Sequence, residues 1–235
     1  MPTKEAPRRT PPVRKKRSNR AAPRIARRGD STKMSILDAA ERCFAEDSFD
    51  GASLRAITEA AGVDWALVNY HFGSKDNLLR EVIARRARIV HEARVQALEE
   101  ARHEAGNAAP SIEAIVTAFL EPLLHRLVSG EPGWRYYCGL ISQLAMVPQF
   151  VELTHNELDP TAIHFINALR SALPTAPPRS IYWGYMFLLG AMVQAMAPTG
   201  RIDRLSRGLC RSDDVEEALA EMVPFVCAGL RAAAR

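Results

Sequence analysis

The stretch SLRAITEAAGVDWALVNYHFGSKDNLL, residues 53–79, leaves the chain least conformational choice. Ser53, Asp64 and Ser74 stand before short helical patterns, and Gly62 and Gly73 stand after them. A side-chain oxygen at an N-cap satisfies backbone donors that a helix start leaves free, and glycine accepts the positive φ that ends a helix. The pattern predicts one short helix with Leu54, Ile57 and Ala61 inward, and a second from Asp64 to about Phe72. A long helix then runs from Lys75 towards Arg102. Helix, tight glycine turn and helix in about twenty residues form a helix-turn-helix, whose second helix enters a DNA major groove.

Upstream, Ile36, Ala40, Cys43 and Phe44 fall on one face of a helix from Thr32 to about Asp47, with Asp50-Gly51 marking the turn that ends it. Downstream, proline and glycine punctuation separates helices expected at about 111–129, 134–146, 149–172, 179–197 and 214–232. The third of these should bend or break at Asp159-Pro160. No stretch shows sustained strand alternation. The expected fold is all-α. A three-helix DNA-binding domain with a helix-turn-helix (31–78) precedes a larger helical ligand-binding and dimerisation domain (79–235).

Charge is unevenly spread. Residues 1–28 hold eleven Lys or Arg against Glu5 alone, whereas residues 31–80 hold five against eight Asp or Glu. A proline-rich basic segment with few large apolar residues cannot bury a core, so residues 1–30 are expected to be a disordered arm that seeks phosphate. The most apolar run, IYWGYMFLLGAMVQAMA at 181–197, is shorter than the roughly 20 residues of a membrane span and is expected to be a buried helix. Cys43, Cys138, Cys210 and Cys227 form no CxxC pair, which points to reduced core thiols in a cytoplasmic protein and to no metal site. GxSxG, P-loop and metal-ligand spacings are absent, and no cofactor or catalytic residue is expected.

Reading a base edge requires side chains that project from the groove-facing helix. With Val68 and Phe72 inward at i and i+4, the outward set is Trp65, Ala66, Leu67 and Asn69. Asn69 can pair bidentately with adenine, and Ala66 and Leu67 can touch thymine methyls. Trp65 either packs on a methyl or sugar or covers the helix end. Arg55 is the candidate for guanine or a nearby phosphate, and Ser53 caps its helix with backbone N–H groups facing a phosphate. Tyr70 and Phe72 are expected to be hydrophobic joints between helices, with His71 turned to the DNA.

The C-terminal half mixes rings and methionines with a few polar residues, a composition able to enclose an apolar pocket with polar anchors. The candidate lining is Trp134, Tyr137, Gln143, Met146, Phe150, Phe165, Tyr182 and Met186. Gly184, Leu188, Ala191 and Ala195 make one helical stripe, and Leu219, Met222, Val226 and Leu230 make another. Such stripes suit either a twofold four-helix interface between two chains or a helix pair within one chain.

The segment ILDAAERCFAEDSFDGASLRAITEAAGVDWALVNYHFGSKDNLL, residues 36–79, resembles the DNA-binding region of the TetR family of transcriptional regulators. The resemblance rests on Ile-Leu-x-Ala-Ala-x-x-x-Phe, Ala-Ser-Leu-Arg-x-Ile, Ala-Gly-Val and the Tyr-His-Phe-Gly-Ser-Lys tail. It implies phosphate contacts by His71 and Lys75, dimerisation through the last two helices, and a double-stranded palindromic operator released by a small-molecule effector. The Val-Asn-Tyr-His-Phe variant is similar to fatty-acid-responsive members. The rival expectation is an architectural, ligand-independent DNA-binding protein driven by the basic arm.

Overall fold

A computed structural model of the chain describes residues 22–128 and 131–233. It contains ten helices and no strand among those residues, so the all-α expectation holds. They are α1 (Ala22–Gly51), α2 (Leu54–Ala61), α3 (Trp65–Phe72), α4 (Lys75–Ala105), α5 (Ile112–Val128), α6 (Pro132–Leu144), α7 (Pro148–Ala172), α8 (Pro178–Met196), α9 (Arg201–Leu205) and α10 (Val215–Ala233). Residues 1–21 of the expected arm lie outside the described residues, and α1 begins at Ala22 rather than Thr32.

The caps behave as their chemistry requires. Ser53 Oγ accepts from the Ala56 amide at 3.0 Å, Asp64 Oδ1 from the Ala66 amide at 2.7 Å, and Ser74 Oγ from the Asn77 amide at 3.1 Å. Gly62 closes α2 at φ 65, a left-handed conformation that costs glycine little. Pro132, Pro148 and Pro178 each open a helix, where a missing N–H is harmless.

The expected end of the first helix at about Asp47 coincides with a kink at Ser48 (φ 63, ψ 167), and the helical run resumes beyond it to Gly51, so Asp50-Gly51 makes no separate turn. The sparsely populated backbone at Ser48 is held by the next residue: the Phe49 ring packs on Phe44 at 5.5 Å and edge-on to Phe150 at 5.1 Å. α7 also continues unbroken through Pro160. Asn156 and Pro160 are both exposed, so the carbonyl that the proline leaves without an N–H partner can turn to water.

Two apolar cores share α4 as a common wall. The first surrounds Ile36, Phe44, Ile57, Val68 and Phe72, and draws in Leu79, Val82, Ile83 and Ala87 of α4 with Leu140, Leu144 and Phe150 of α6 and α7. The second gathers Val90 and Leu98 of α4 with α5, α6, α7, α8 and α10. The first core therefore crosses the expected boundary at 78/79.

Polar contacts tie the same parts together. Glu41 of α1, only 1% exposed, takes a bidentate pair from Arg86, with Nε to Oε1 at 2.7 Å and Nη2 to Oε2 at 2.8 Å. Arg85 Nη2 stands 3.1 Å from the same carboxylate as a charge contact rather than an aligned hydrogen bond, and Arg85 Nη1 reaches Asp38 at 2.5 Å. The Arg86 guanidinium lies 4.6 Å over the Trp134 ring of α6. Burial draws the Arg86 pKa down, but the hydrogen bond and charge of Glu41 outweigh it and leave the pKa raised. Gln143 of α6 donates to the Ala45 carbonyl of α1 at 2.9 Å.

Removing one member of a buried pair strands the others. Glu41→Ala should cost roughly 3–5 kcal/mol in urea unfolding. Lys33→Ala, which breaks the exposed pair with Glu81 at 2.9 Å, should cost at most about 1 kcal/mol. Equal losses would mean that burial does not set the weight of these pairs.

Candidate nucleic-acid interface and ligand cavity

α3 buries Val68 and Phe72 and exposes Trp65, Ala66, Leu67 and Asn69, so the outward face is the one the periodicity predicts. The helix is fixed at both ends. Asp64 caps its start, and at its end the Asn77 side chain donates to the Phe72 carbonyl at 3.0 Å while Arg80 holds Asn77 Oδ1 at 2.9 Å. The turn into α4 is thus hydrogen-bonded on the protein side, leaving the other side of α3 free.

Tyr70 overturns an expectation. It is 82% exposed, with its ring 5.2 Å from that of His71 in an edge-on contact, and it joins no helices. The i, i+4 spacing of Val68 and Phe72 fills the inward positions, and Tyr70 falls on the opposite side of the helix. Phe72 is the buried joint, as expected, and His71 is half-buried between the two rings. Tyr70 therefore joins the exposed set. The same angular argument that selected Asn69 would have found it.

Two cationic candidates are engaged in weak contacts. Arg55 Nε pairs with Glu59 at 2.9 Å, both side chains being well exposed, and such a pair contributes about 0.5 kcal/mol or less. Lys75 Nζ lies 4.5 Å over the Phe49 ring, both residues being half-buried, a contact of about 1 kcal/mol. Both contacts are weak, so either cation can exchange its partner for a base edge or phosphate at little cost. Ser53 serves as the cap of α2.

In the C-terminal half, a cavity of about 250 Å³ lies among α4, α5, α6, α7 and α8. Ile83, Ala87, Val90 and Arg94 of α4 form one wall, and Phe119, Leu123, Tyr137, Ile141, Tyr185 and Met192 surround the rest. The exposed lining residues Val151, Asp159 and Met186 mark its mouth between α7 and α8.

Of the eight residues expected to line a pocket, Tyr137 and Met186 do so. Trp134 is buried beneath Arg86 and edge-on to Tyr137, and Phe165 lies behind Phe119 at 5.1 Å. Phe150 belongs to the first core, Gln143 holds α1, and Met146 and Tyr182 are exposed. Ring content alone cannot separate a cavity wall from the layer behind it. Arg94 was missed although the sequence carried a signal: it occupies an inward position in the α4 series Ala87, Val90, Arg94, Leu98 and Ala101.

The two stripes meet each other within one chain. A Cβ on Gly184 would overlap the Leu230 side chain, and Leu188, Met222, Val226 and Leu230 are buried. Ala191, Ala195 and Leu219 are half-buried. The surface left on this helix pair is the other face, where Trp183 (63% exposed) stacks on Phe187 (67%) at 5.9 Å and Phe225 of α10 is 76% exposed.

A model of bacterial regulatory proteins of the TetR family matches residues 36–82, and one of the tetracyclin repressor-like C-terminal domain matches residues 117–229. The HTH-type transcriptional repressor AcnR of Corynebacterium glutamicum is 41% identical over 66 residues, 26% of this chain and 35% of AcnR. AcnR of Corynebacterium diphtheriae is 41% identical over 61 residues, 24% of this chain and 32% of that protein. These matches span about a third of the relatives' own length. Among solved structures, a TetR-family regulator from Shewanella sp. PV-4 superposes with a TM-score of 0.59 at 15% identity, over 83% of this chain and 97% of that one. FadR of Bacillus subtilis, solved in complex with stearoyl-CoA, superposes with a TM-score of 0.56 at 15% identity, over 83% and 98%. A capped helix-turn-helix, an all-α second half with its own cavity, and matches to both halves of one family agree: the chain belongs to the TetR family of transcriptional regulators.

Proposed function

We propose that the protein is a cytoplasmic, ligand-responsive repressor that binds a palindromic double-stranded operator as a homodimer. A small apolar or amphipathic molecule entering the cavity releases it. The observation that carries this reading is the double use of α4. Its first turn meets the end of the reader helix, and Ile83, Ala87, Val90 and Arg94 of the same helix wall the cavity. From Lys75 to Ile83 is about 12 Å along the axis at 1.5 Å per residue, so a shift of α4 at the cavity reaches the reader without any intermediate element. The names of the AcnR relatives support the sign of regulation.

DNA contacts divide by role. Asn69, Ala66, Leu67 and Trp65 face base edges, Arg55 a guanine or phosphate, and Ser53, Tyr70, His71 and Lys75 the backbone. The dimer forms through α8 and α10, using the exposed Trp183, Phe187 and Phe225 face beside Ala191, Ala195 and Leu219. No helix among the described residues is long and apolar enough to cross a membrane.

Operator affinity tests the reader. Asn69→Ala should lose about 1–3 kcal/mol and relax preference at one position per half-site. Tyr70→Ala and Lys75→Ala should weaken operator and scrambled duplexes alike, with Lys75→Ala also flattening the salt slope by about one unit. Unchanged affinity and preference in Asn69→Ala would remove α3 as the reader.

Phe187→Glu should give a monomer by sedimentation or native mass spectrometry and weaken operator binding. A dimer of unchanged affinity would move the interface elsewhere. Deleting residues 1–21, which leaves α1 whole, should lower affinity for all duplexes and reduce salt dependence while keeping operator preference. Loss of preference along with affinity would favour the architectural, arm-driven alternative.

A further inference from the structure

Arg94 is 7% exposed and faces the cavity. Its Nε donates to the Phe119 carbonyl at 2.6 Å, its Nη2 lies 3.1 Å from the Met192 sulfur, and its guanidinium carbon is 3.8 Å from the Phe119 ring. None of these partners carries a formal charge. Among the described residues no carboxylate pairs with it, and its Nη1 makes no hydrogen bond. The contrast with Arg85 and Arg86 is direct, because the fold supplies those guanidinium groups with the buried Glu41.

Two phenols line the same cavity. Tyr137 and Tyr185 are both more than nine-tenths buried as residues, and among the described residues no protein group hydrogen-bonds either hydroxyl. Burial pushes the Tyr185 pKa up to about 12 and that of Tyr137 higher, so both stay protonated donors at neutral pH. Burial also brings Arg94 down, to about 10, which leaves it cationic at neutral pH. A buried charge without a counter-ion is costly, and here it shares one cavity wall with two hydroxyl donors that no protein group engages, so the cavity is built for an anion that completes them.

We propose that this cavity binds a monocarboxylic acid with a compact apolar body. The carboxylate sits on Arg94 and the hydroxyls of Tyr137 and Tyr185, and the hydrocarbon lies against Val90, Leu123 and Ile141. The assignment rests on the reading of this cavity as the effector site and names the class of effector. One guanidinium balances one negative charge, so a dianionic phosphate would leave a charge uncompensated. A volume of about 250 Å³ lies below the ~300–1,000 Å³ of drug-sized sites, which selects a compact acid over a long one. Asp159 is exposed at the mouth and makes no pair with Arg94, so water and salt screen its repulsion.

The test is calorimetry on the full-length protein without DNA, using octanoate and cinnamate as probes beside octanamide and cinnamamide. The acids should bind at least tenfold more tightly than the amides. Arg94→Gln should lose at least tenfold for the acids and little for the amides, with circular dichroism as the check that it folds. Without ligand, Arg94→Met should melt no lower than the unmodified protein, since it removes an uncompensated charge, and it should lose the rise in melting temperature that the acids give. Equal binding of acid and amide to the unmodified protein, no acid binding at millimolar concentration, or unchanged acid affinity in folded Arg94→Gln would each overturn the assignment. A lower melting temperature of Arg94→Met would also overturn it by making Arg94 a structural residue. The outcome is separable from the repressor reading: acid binding that releases no operator sustains this site and removes the regulatory mechanism.

Discussion

The carboxylate of Glu41 holds the two halves of this protein in register. It belongs to α1, it is satisfied by Arg86 of α4, and Arg86 is in turn pressed on Trp134 of α6. Gly133 shows how close the fit is, because a Cβ there would overlap the Arg86 guanidinium. A side chain at 133 would displace the arginine, and the displaced arginine would leave a buried anion. Buried pairs of this kind add little over an apolar replacement, yet they are strict about geometry. They favour one relative placement of α1, α4 and α6 over all others.

That strictness suits a helix that serves two cores. The packed start of α4 joins Leu78, Leu79 and Val82 to the core of α1, α2 and α3, while its middle walls a cavity. A ligand shifts such a structure only as far as it contacts two arrangements differently. Close packing on one side and a cavity on the other supply that difference, since the packed side transmits displacement and the cavity side can accept it. The apolar contact between Phe49 and Phe150 and the hydrogen bond from Gln143 to Ala45 add further ties between the halves.

The uncompensated Arg94 belongs to the same logic. Natural cores seldom keep a charge without a partner, and the departures concentrate where a protein binds something. Here the departure occurs on the helix that runs from the end of α3 to the cavity, about two turns beyond the Glu41 clamp that the same helix anchors. The guanidinium without a counter-ion lies in the half that holds the cavity, and the paired ones, Arg85 and Arg86, tie α4 to α1.

Features that depend on neighbours a few residues away were legible along the chain. The caps at Ser53, Asp64 and Ser74, the closure at Gly62, and the inward pair Val68 and Phe72 follow from helical geometry and local hydrogen bonding. The all-α class and most helix bounds follow from the same rules. Tertiary structure alone decided which apolar residues share a core, which line a cavity and which stay on the surface. Trp134 and Phe165 read like cavity rings, but one backs Arg86 and the other backs Phe119. Gly184 and Leu230 read equally as an interface between chains or a contact within one, and the fold closes them on each other. A helical period fixes the direction of a side chain relative to its own axis. What stands in that direction depends on how the helices cross, and that is set by contacts far apart in sequence, such as Glu41 with Arg86.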